Sequence, residues 1–364
     1  MPVATVSETV TTPSVQDLKS SLGRLNLRPE ADLRQFEHID NSPSIGTEFR
    51  SYSKKGKPVL TIREVLADEG KLAALGRLVS ERGVVFFRDS EITPEEQKVL
   101  VQKLGEAGGK PADSTLHIHP LTLAGSELGD EISVISNKFV FDDKFKRLDD
   151  AHYNRVGGKR LWHSDITFEN KPSDYASLVI RDLPAVGGDT LWASAYEAYD
   201  RLSPAYKKFL EGLTATHIGS HFLELAKRSG AEVREPRGSP DNVGQHLSTV
   251  HPVIRTNPVT GWNGLFVNQG FTKRINELTQ TESDEVLKFL WDHIASNHEF
   301  QVRFRWEENS LAIWDNRSTF HAATHDVDEV TRTGTRSVSI GERPYFDPKS
   351  ISRKEYFTRP TEKA

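Results

Sequence analysis

The sequence predicts a mainly β domain with flanking helices, an antiparallel barrel or jelly roll. Two observations predict it. Short apolar or alternating runs recur along the chain (84–87, 132–136, 175–180, 300–306 and 336–340) and are separated by turn signals. A few segments of helical spacing lie among them and suit braces around a β core. No internal repeat is evident.

Taken in order, residues 1–45 are rich in Ser, Thr, Pro and charge, and read as a flexible N-terminal extension with one short helix near 14–25. The remainder, 46–364, reads as a single domain. Leu72, Leu75, Leu78 and Val79 have helical spacing, and Gly83 ends that helix before the buried strand 84–87. Thr93-Pro94-Glu95-Glu96 offers an N-cap, a proline suited to the first turn and a capping-box glutamate, so a helix should run to about residue 104 and stop at Gly108-Gly109. Residues 116–120 read as a short strand or extended loop. The charged stretch 139–158 reads as a loop over the site, and 228–248, with its Gly, Pro, Asn and charge, as a mobile insertion. Both are candidate lids. Ser203-Pro204 opens a helix with Tyr206, Phe209, Leu210 and Leu213 on one face. Residues 253–256, 257–261 and 265–268 read as strand, turn, strand, and 282–295 as an amphipathic helix.

Composition removes several function classes. The chain has no cysteine, which excludes disulfides, thiolate zinc sites, iron–sulfur clusters and cysteine nucleophiles, so any metal must bind through N and O ligands. A formal charge of −5 argues against nucleic acid as the main partner. No apolar run of about 18 residues is present, and the first residues lack a secretory pattern, so the expectation is a cytoplasmic enzyme with no membrane partner.

The informative constellation is His163-Ser164-Asp165 with His321 far downstream. On a strand, residues i and i+2 point to the same side, so His163 and Asp165 can grip one metal ion while His321 closes a third position. Two His and one carboxylate on one face of an octahedron leave three positions open, the arrangement of non-haem Fe(II) oxygenases. The pair alone is also compatible with Asp165 capping a turn beside a satisfied surface His163. Arg332 and Arg336 follow at an even separation. On a strand they would share a face with Val338 and Ile340, toward the interior, while Thr333, Thr335 and Ser337 alternate outward. An inward Arg requires an anion, because an unpaired buried charge is costly.

With these residues the chain resembles the taurine/2,4-D family of Fe(II)- and 2-oxoglutarate-dependent dioxygenases, which includes taurine dioxygenase and fungal sulfonate dioxygenases. The stretches that carry the resemblance are Trp162-His163-Ser164-Asp165-Ile166-Thr167-Phe168, Gly187-Gly188-Asp189-Thr190-Leu191-Trp192, Leu265-Phe266-Val267-Asn268-Gln269-Gly270-Phe271 and Ile313-Trp314-Asp315-Asn316-Arg317 with His321. Leu116-His117-Ile118-His119-Pro120 and the pair Arg332 and Arg336 complete it. The resemblance implies a double-stranded β-helix (jelly roll) of the Fe(II)/2-oxoglutarate oxygenase type. It implies Fe(II) on His163, Asp165 and His321, O2 as oxidant, and 2-oxoglutarate as co-substrate with its distal carboxylate on Thr190 and Arg332. It further implies that Arg336 and His119 hold the anionic head of a small substrate, a sulfonate in the family's taurine enzyme, and that Phe271 lines the pocket. It allows a homo-oligomer, a dimer or tetramer.

Four positions depart from the taurine enzyme at the amine end of its pocket. Lys159 stands where it has Asn, Thr122 where it has Tyr, and Phe222-Leu223 where it has Ser-Phe. The anion grip is kept and the amine end is changed, since a lysine near an ammonium repels it. The expected reaction is oxidation of an alkyl sulfonate to an aldehyde and sulfite, with succinate and CO2 from 2-oxoglutarate. The same chemistry on an amino acid, a sulfate ester, an aryloxy acid or a natural-product intermediate stays open. So does a zinc hydrolase on the same three ligands, although such an enzyme has no need of Thr190 and Arg332 at their family spacing.

Overall fold

The computed structural model describes residues 31–359 except 55, 123–125, 137–160, 231, 325 and 328–330. Among the described residues, seven strands form the larger sheet in the order His38–Asp40, Thr47–Phe49, Val84–Phe87, Leu311–Asp315, Ser173–Asp182, Thr333–Ile340 and Ile132–Ser136. Gln301–Phe304, Thr190–Ser194 and Thr319–Ala323 form a smaller antiparallel sheet that faces it.

The continuous apolar runs are explained by burial on both faces. The strand period of two sends neighbours to opposite sides. Val84, Phe86, Ala312, Trp314, Ala176 and Leu178 turn inward and meet Trp192, Val302 and Phe304 of the smaller sheet. Val85, Phe87, Leu311, Ile313 and Val179 turn outward and meet Leu72, Leu75 and Leu78 of the helix Glu69–Arg82 and Leu100 and Leu104 of the helix Pro94–Ala107. On the smaller sheet, Ala193, Phe320 and Ala322 pack outward under Leu287, Leu290 and Ile294 of the helix Gln280–Ser296. That packing sends His321, between Phe320 and Ala322, into the sandwich. The architecture is the jelly roll with flanking helices that the sequence predicts. Among the described residues no helix is long and apolar enough to cross a membrane.

Local expectations fare unevenly. The helix opened by Thr93 carries its full capping box, and Gly83, at φ 75°, closes the helix before it. The sequence reading places the end of the extension too late. Leu33 and Phe36 are buried against the helix-side core, His38–Asp40 pairs with Thr47–Phe49, and Ile45 is fully buried, so the fold begins before residue 45. The helix near 14–25 and the loop 139–158 fall outside the described residues. The helix Pro204–Leu210 stops before Leu213, and Phe209 faces solvent. Beyond Asn263–Leu265 the chain leaves the strand, so Phe266–Asn268 is not the strand expected. Thr335 and Ser337 alternate outward from the sandwich as expected, but a helix covers them there: both are buried, and Thr335 donates to Gln97 on that helix at 2.6 Å. Arg332 precedes the strand Thr333–Ile340, and a register shift at Thr333/Gly334 intervenes, so the even-spacing argument does not run through one regular strand.

Residues 232–247 lack helix and strand but are built into the body. Arg237 pairs with Glu169 at 3.0 Å (Nη2 to Oε2), both nearly inaccessible, and Asn242 exchanges hydrogen bonds of 2.9 and 2.8 Å with the Lys171 backbone. This anchoring is the opposite of what a freely mobile insertion shows.

Candidate active site

Two isolated backbone hydrogen bonds create the centre. The His163 N–H donates to the His321 carbonyl at 3.0 Å, and the His321 N–H donates to the His163 carbonyl at 2.8 Å. Directly opposed residues of an antiparallel pair present their side chains on the same side. The expected strand through His163 and Asp165 is therefore reduced to one bridge. The chain departs from it at Ile166, where φ is 49°. Asp165 is fixed by its N–H, which donates to Asn316 Oδ1 at 3.0 Å, and the neighbouring Ser164 hydroxyl donates to the Thr319 carbonyl. Asn316 is in turn held by Trp314 Nε1 at 3.0 Å.

The ligand atoms of His163, Asp165 and His321 all lie within 4.8 Å of one another, the one such group among the described residues. Asp165 Oδ1 is 4.0 Å from His163 Nε2 and 3.9 Å from His321 Nε2. His163 Nδ1–H donates to the Leu161 carbonyl at 2.7 Å, which fixes the tautomer and leaves Nε2 as a lone pair facing the centre. Burial pushes both imidazoles toward the neutral form, His321 down to about 3. Burial also raises the Asp165 carboxyl, but Arg336 and then the two histidines outweigh it and hold it at about 2. Two neutral imidazoles and an ionised carboxylate are the donor set a divalent cation needs. The buried Asp165 Oδ2, without a hydrogen-bond partner, fits the same role.

Arg336 Nη1 donates to Asp165 Oδ1 at 2.7 Å, and its buried Nε has no hydrogen-bond partner. Two residues along from Trp192, which pairs with His321, Thr190 forms a corner with Arg332 and Gly188. Arg332 Nε donates to the Gly188 carbonyl at 2.7 Å and Nη2 to Thr190 Oγ1 at 3.3 Å. Gly188 sits at φ 69°, and a Cβ there would lie 2.8 Å from Arg332 Cδ, so only glycine admits the arginine. Burial lowers the Arg332 guanidinium to about 10, which leaves it charged at neutral pH.

An aromatic wall closes the remaining side. Phe271 packs edge-on to His163 with ring centroids 6.1 Å apart, Phe222 packs on His119 at 5.0 Å and stacks on Phe271 at 6.2 Å, and Phe168 packs on both, 5.0 Å from Phe271 and 5.4 Å from Phe222. A turn aims Phe271: its N–H donates to Asn268 Oδ1, and the Asn268 N–H donates to Thr272 Oγ1. His119 is held neutral, down to about 4, by burial and by Arg336. Of the residues expected from sequence, the structure brings together His163, Asp165, His321, Arg336, His119, Phe271 and Phe222, with Thr190 and Arg332 as a neighbouring corner. Lys159 lies outside the described residues. Sequence reasoning missed Phe168, Asn316 and Trp306, whose indole N–H donates to Thr190 Oγ1 at 3.0 Å. The first two stand inside the quoted motifs, but nothing about them signals which side of the fold they face.

Residues 43–338 match the family model described as taurine catabolism dioxygenase TauD, TfdA family. The chain is 45% identical over 345 residues to the alpha-ketoglutarate-dependent dioxygenase btcD of Neocamarosporium betae, covering 90% of this chain and 97% of that one. It is 30% identical over 333 residues to an alpha-ketoglutarate-dependent sulfonate dioxygenase of Saccharomyces cerevisiae (strain ATCC 204508 / S288c), covering 91% and 73%. The crystal structure of a taurine dioxygenase from Burkholderia xenovorans superposes with a TM-score of 0.62 at 27% identity, covering 85% of this chain and 91% of that one. Alpha-ketoglutarate is 2-oxoglutarate.

Proposed function

This chain belongs to the TauD, TfdA family and is a 2-oxoglutarate-dependent dioxygenase, and from that premise we propose that it oxidises a C–H bond of a small alkyl sulfonate. His163, Asp165 and His321 would hold Fe(II), and Thr190 with Arg332 would hold the distal carboxylate of 2-oxoglutarate. Fe(II) with 2-oxoglutarate and O2 supplies the oxidation when bound, and 2-oxoglutarate leaves as succinate and CO2. Hydroxylation of the carbon that bears the sulfonate gives an α-hydroxysulfonate. The C–S bond then breaks, and aldehyde and sulfite separate.

The observation that carries the substrate class is Arg336. It is a guanidinium at hydrogen-bond distance from a metal-site carboxylate, with a buried Nε still lacking an acceptor. A buried donor of this kind costs stability unless an acceptor arrives, and the planar fork suits a sulfonate or carboxylate. Arg336 would bind the head group and His119 would hydrogen-bond to it as a neutral ring. Phe271, Phe168 and Phe222 would exclude water and pack the apolar carbons, so that the C–H next to the sulfonate is the one presented to the centre. The yeast relative named for sulfonates supports the head group. The aromatic wall, and Lys159 in the position of an amine-contacting residue, favour a tail without an ammonium.

The test is succinate formation by Fe(II)-loaded enzyme with taurine, isethionate, longer alkyl sulfonates, alkyl sulfates, aryloxyacetates and amino acids, sulfite being assayed in parallel. Sulfite rising one-for-one with succinate on alkyl sulfonates is expected. Succinate stimulated only by a substrate that contains no sulfonate would overturn the substrate class.

A further inference from the structure

We propose that Trp306 is a positioning residue for the co-substrate, acting through the hydroxyl of Thr190. The inference rests on the reading that Thr190 meets the distal carboxylate of 2-oxoglutarate. Trp306 follows the strand Gln301–Phe304, and its indole N–H donates to Thr190 Oγ1 at 3.0 Å. Arg332 Nη2 donates to the same oxygen at 3.3 Å. A hydroxyl oxygen has two lone pairs and one proton, and indole and guanidinium N–H groups are donors only. With both lone pairs engaged, neither neighbour can take the Thr190 proton. Thr190 is 2% exposed, so water does not reach it freely, and among the described residues its hydroxyl accepts these two bonds and donates none.

A buried hydroxyl with its acceptor sites filled and its proton unspent is a committed donor. The ligand it fits is an anion brought against Thr190 and Arg332 together, as a terminal carboxylate would be. Without the indole N–H, one lone pair of Thr190 is free and its hydroxyl can rotate to donate elsewhere, so the orientation is lost while the residue remains. Ring packing does not serve this purpose. Trp306 packs on Phe304 at 5.1 Å and on Trp192 at 6.5 Å, contacts that a phenyl ring also makes in part.

The experiment is calorimetric titration of the full-length, Mn(II)-loaded chain, which does not turn over, with 2-oxoglutarate and with 2-oxopentanoate, in which a methyl replaces the distal carboxylate. Trp306→Phe should weaken 2-oxoglutarate about five- to tenfold, the scale of one lost hydrogen bond, and leave 2-oxopentanoate unchanged. Thr190→Val should do the same, and the double variant should bind no more weakly than the weaker single one. Equal weakening of both ligands by Trp306→Phe, or a double variant showing the product of the two single losses, would overturn the role through Thr190. Unchanged 2-oxoglutarate affinity in Thr190→Val would overturn the co-substrate reading beneath it. If Trp306→Phe does not fold, 3-benzothienylalanine at position 306 removes the donor and keeps the bicyclic ring, with the same two outcomes.

Discussion

Arg336 donates to the one oxygen of Asp165, Oδ1, toward which both catalytic-site imidazoles point: the guanidinium is 2.7 Å away, His163 Nε2 4.0 Å and His321 Nε2 3.9 Å. The proposed metal site and the proposed anion site would therefore share a carboxylate. Asp165→Asn keeps the shape and removes the charge. It should lower Fe(II) or Mn(II) affinity by more than the roughly 10–100-fold that loss of a mere supporting partner costs. Metal titration of the purified variant checks this.

Gly188→Ala should act on the co-substrate and spare the substrate. The added Cβ meets Arg332 Cδ at 2.8 Å in a left-handed backbone, so the arginine must shift. The expected result is a KM for 2-oxoglutarate raised about tenfold, roughly the 1.4 kcal/mol that a misplaced hydrogen-bonding group costs, with the sulfonate KM nearly unchanged. Steady-state kinetics with each substrate varied in turn separates the two.

Phe222→Ser should change selectivity. The substitution removes the ring that packs on His119 and Phe168 and installs a hydroxyl beside His119. The ratio of kcat/KM for hexanesulfonate to that for taurine should fall at least about tenfold, the lower end of what apolar pocket contacts discriminate.

Acid should destabilise the fold in a predictable window. His217 is fully buried, and burial, then Lys273, pushes it down to about 3; His251 beside it is likewise pushed well below its ordinary value by burial. The unfolded chain protonates these groups from about pH 6.5 downward while the folded chain does not. Stability is therefore full above about pH 6.5 and falls as the pH drops, by up to about 1.4 kcal/mol per pH unit for each such group. Urea unfolding between pH 7 and 4.5 should show the loss, and His217→Gln should make the slope shallower.

The sequence was most legible where a residue type has few other uses. His163, Asp165 and His321 are recognisable because open metal sites demand those donors, and Thr93 and Gly83 because capping chemistry is local. The outward alternation of Thr335 and Ser337 was legible, but the helix that covers them was not: Thr335 is satisfied there by Gln97, and no local signal announces that cover. Residues 33–45 were misread for a related reason: Leu33, Phe36 and Ile45 are too sparse to show a period, yet each fills a gap in the core. Trp306 carried no signal in the sequence, since its contact with Thr190 is one N–H directed across 116 residues of sequence.

The most direct test of the division of labour compares Arg332→Gln with Arg336→Gln in one assay: 2-oxoglutarate affinity, then succinate released on adding an alkyl sulfonate. Arg332→Gln should lose 2-oxoglutarate binding by about 100-fold, the worth of a charge-assisted pair. Arg336→Gln should bind 2-oxoglutarate as the parent does and lose the sulfonate-stimulated succinate. The reverse pattern, with Arg336→Gln losing 2-oxoglutarate and Arg332→Gln retaining it, would contradict the account.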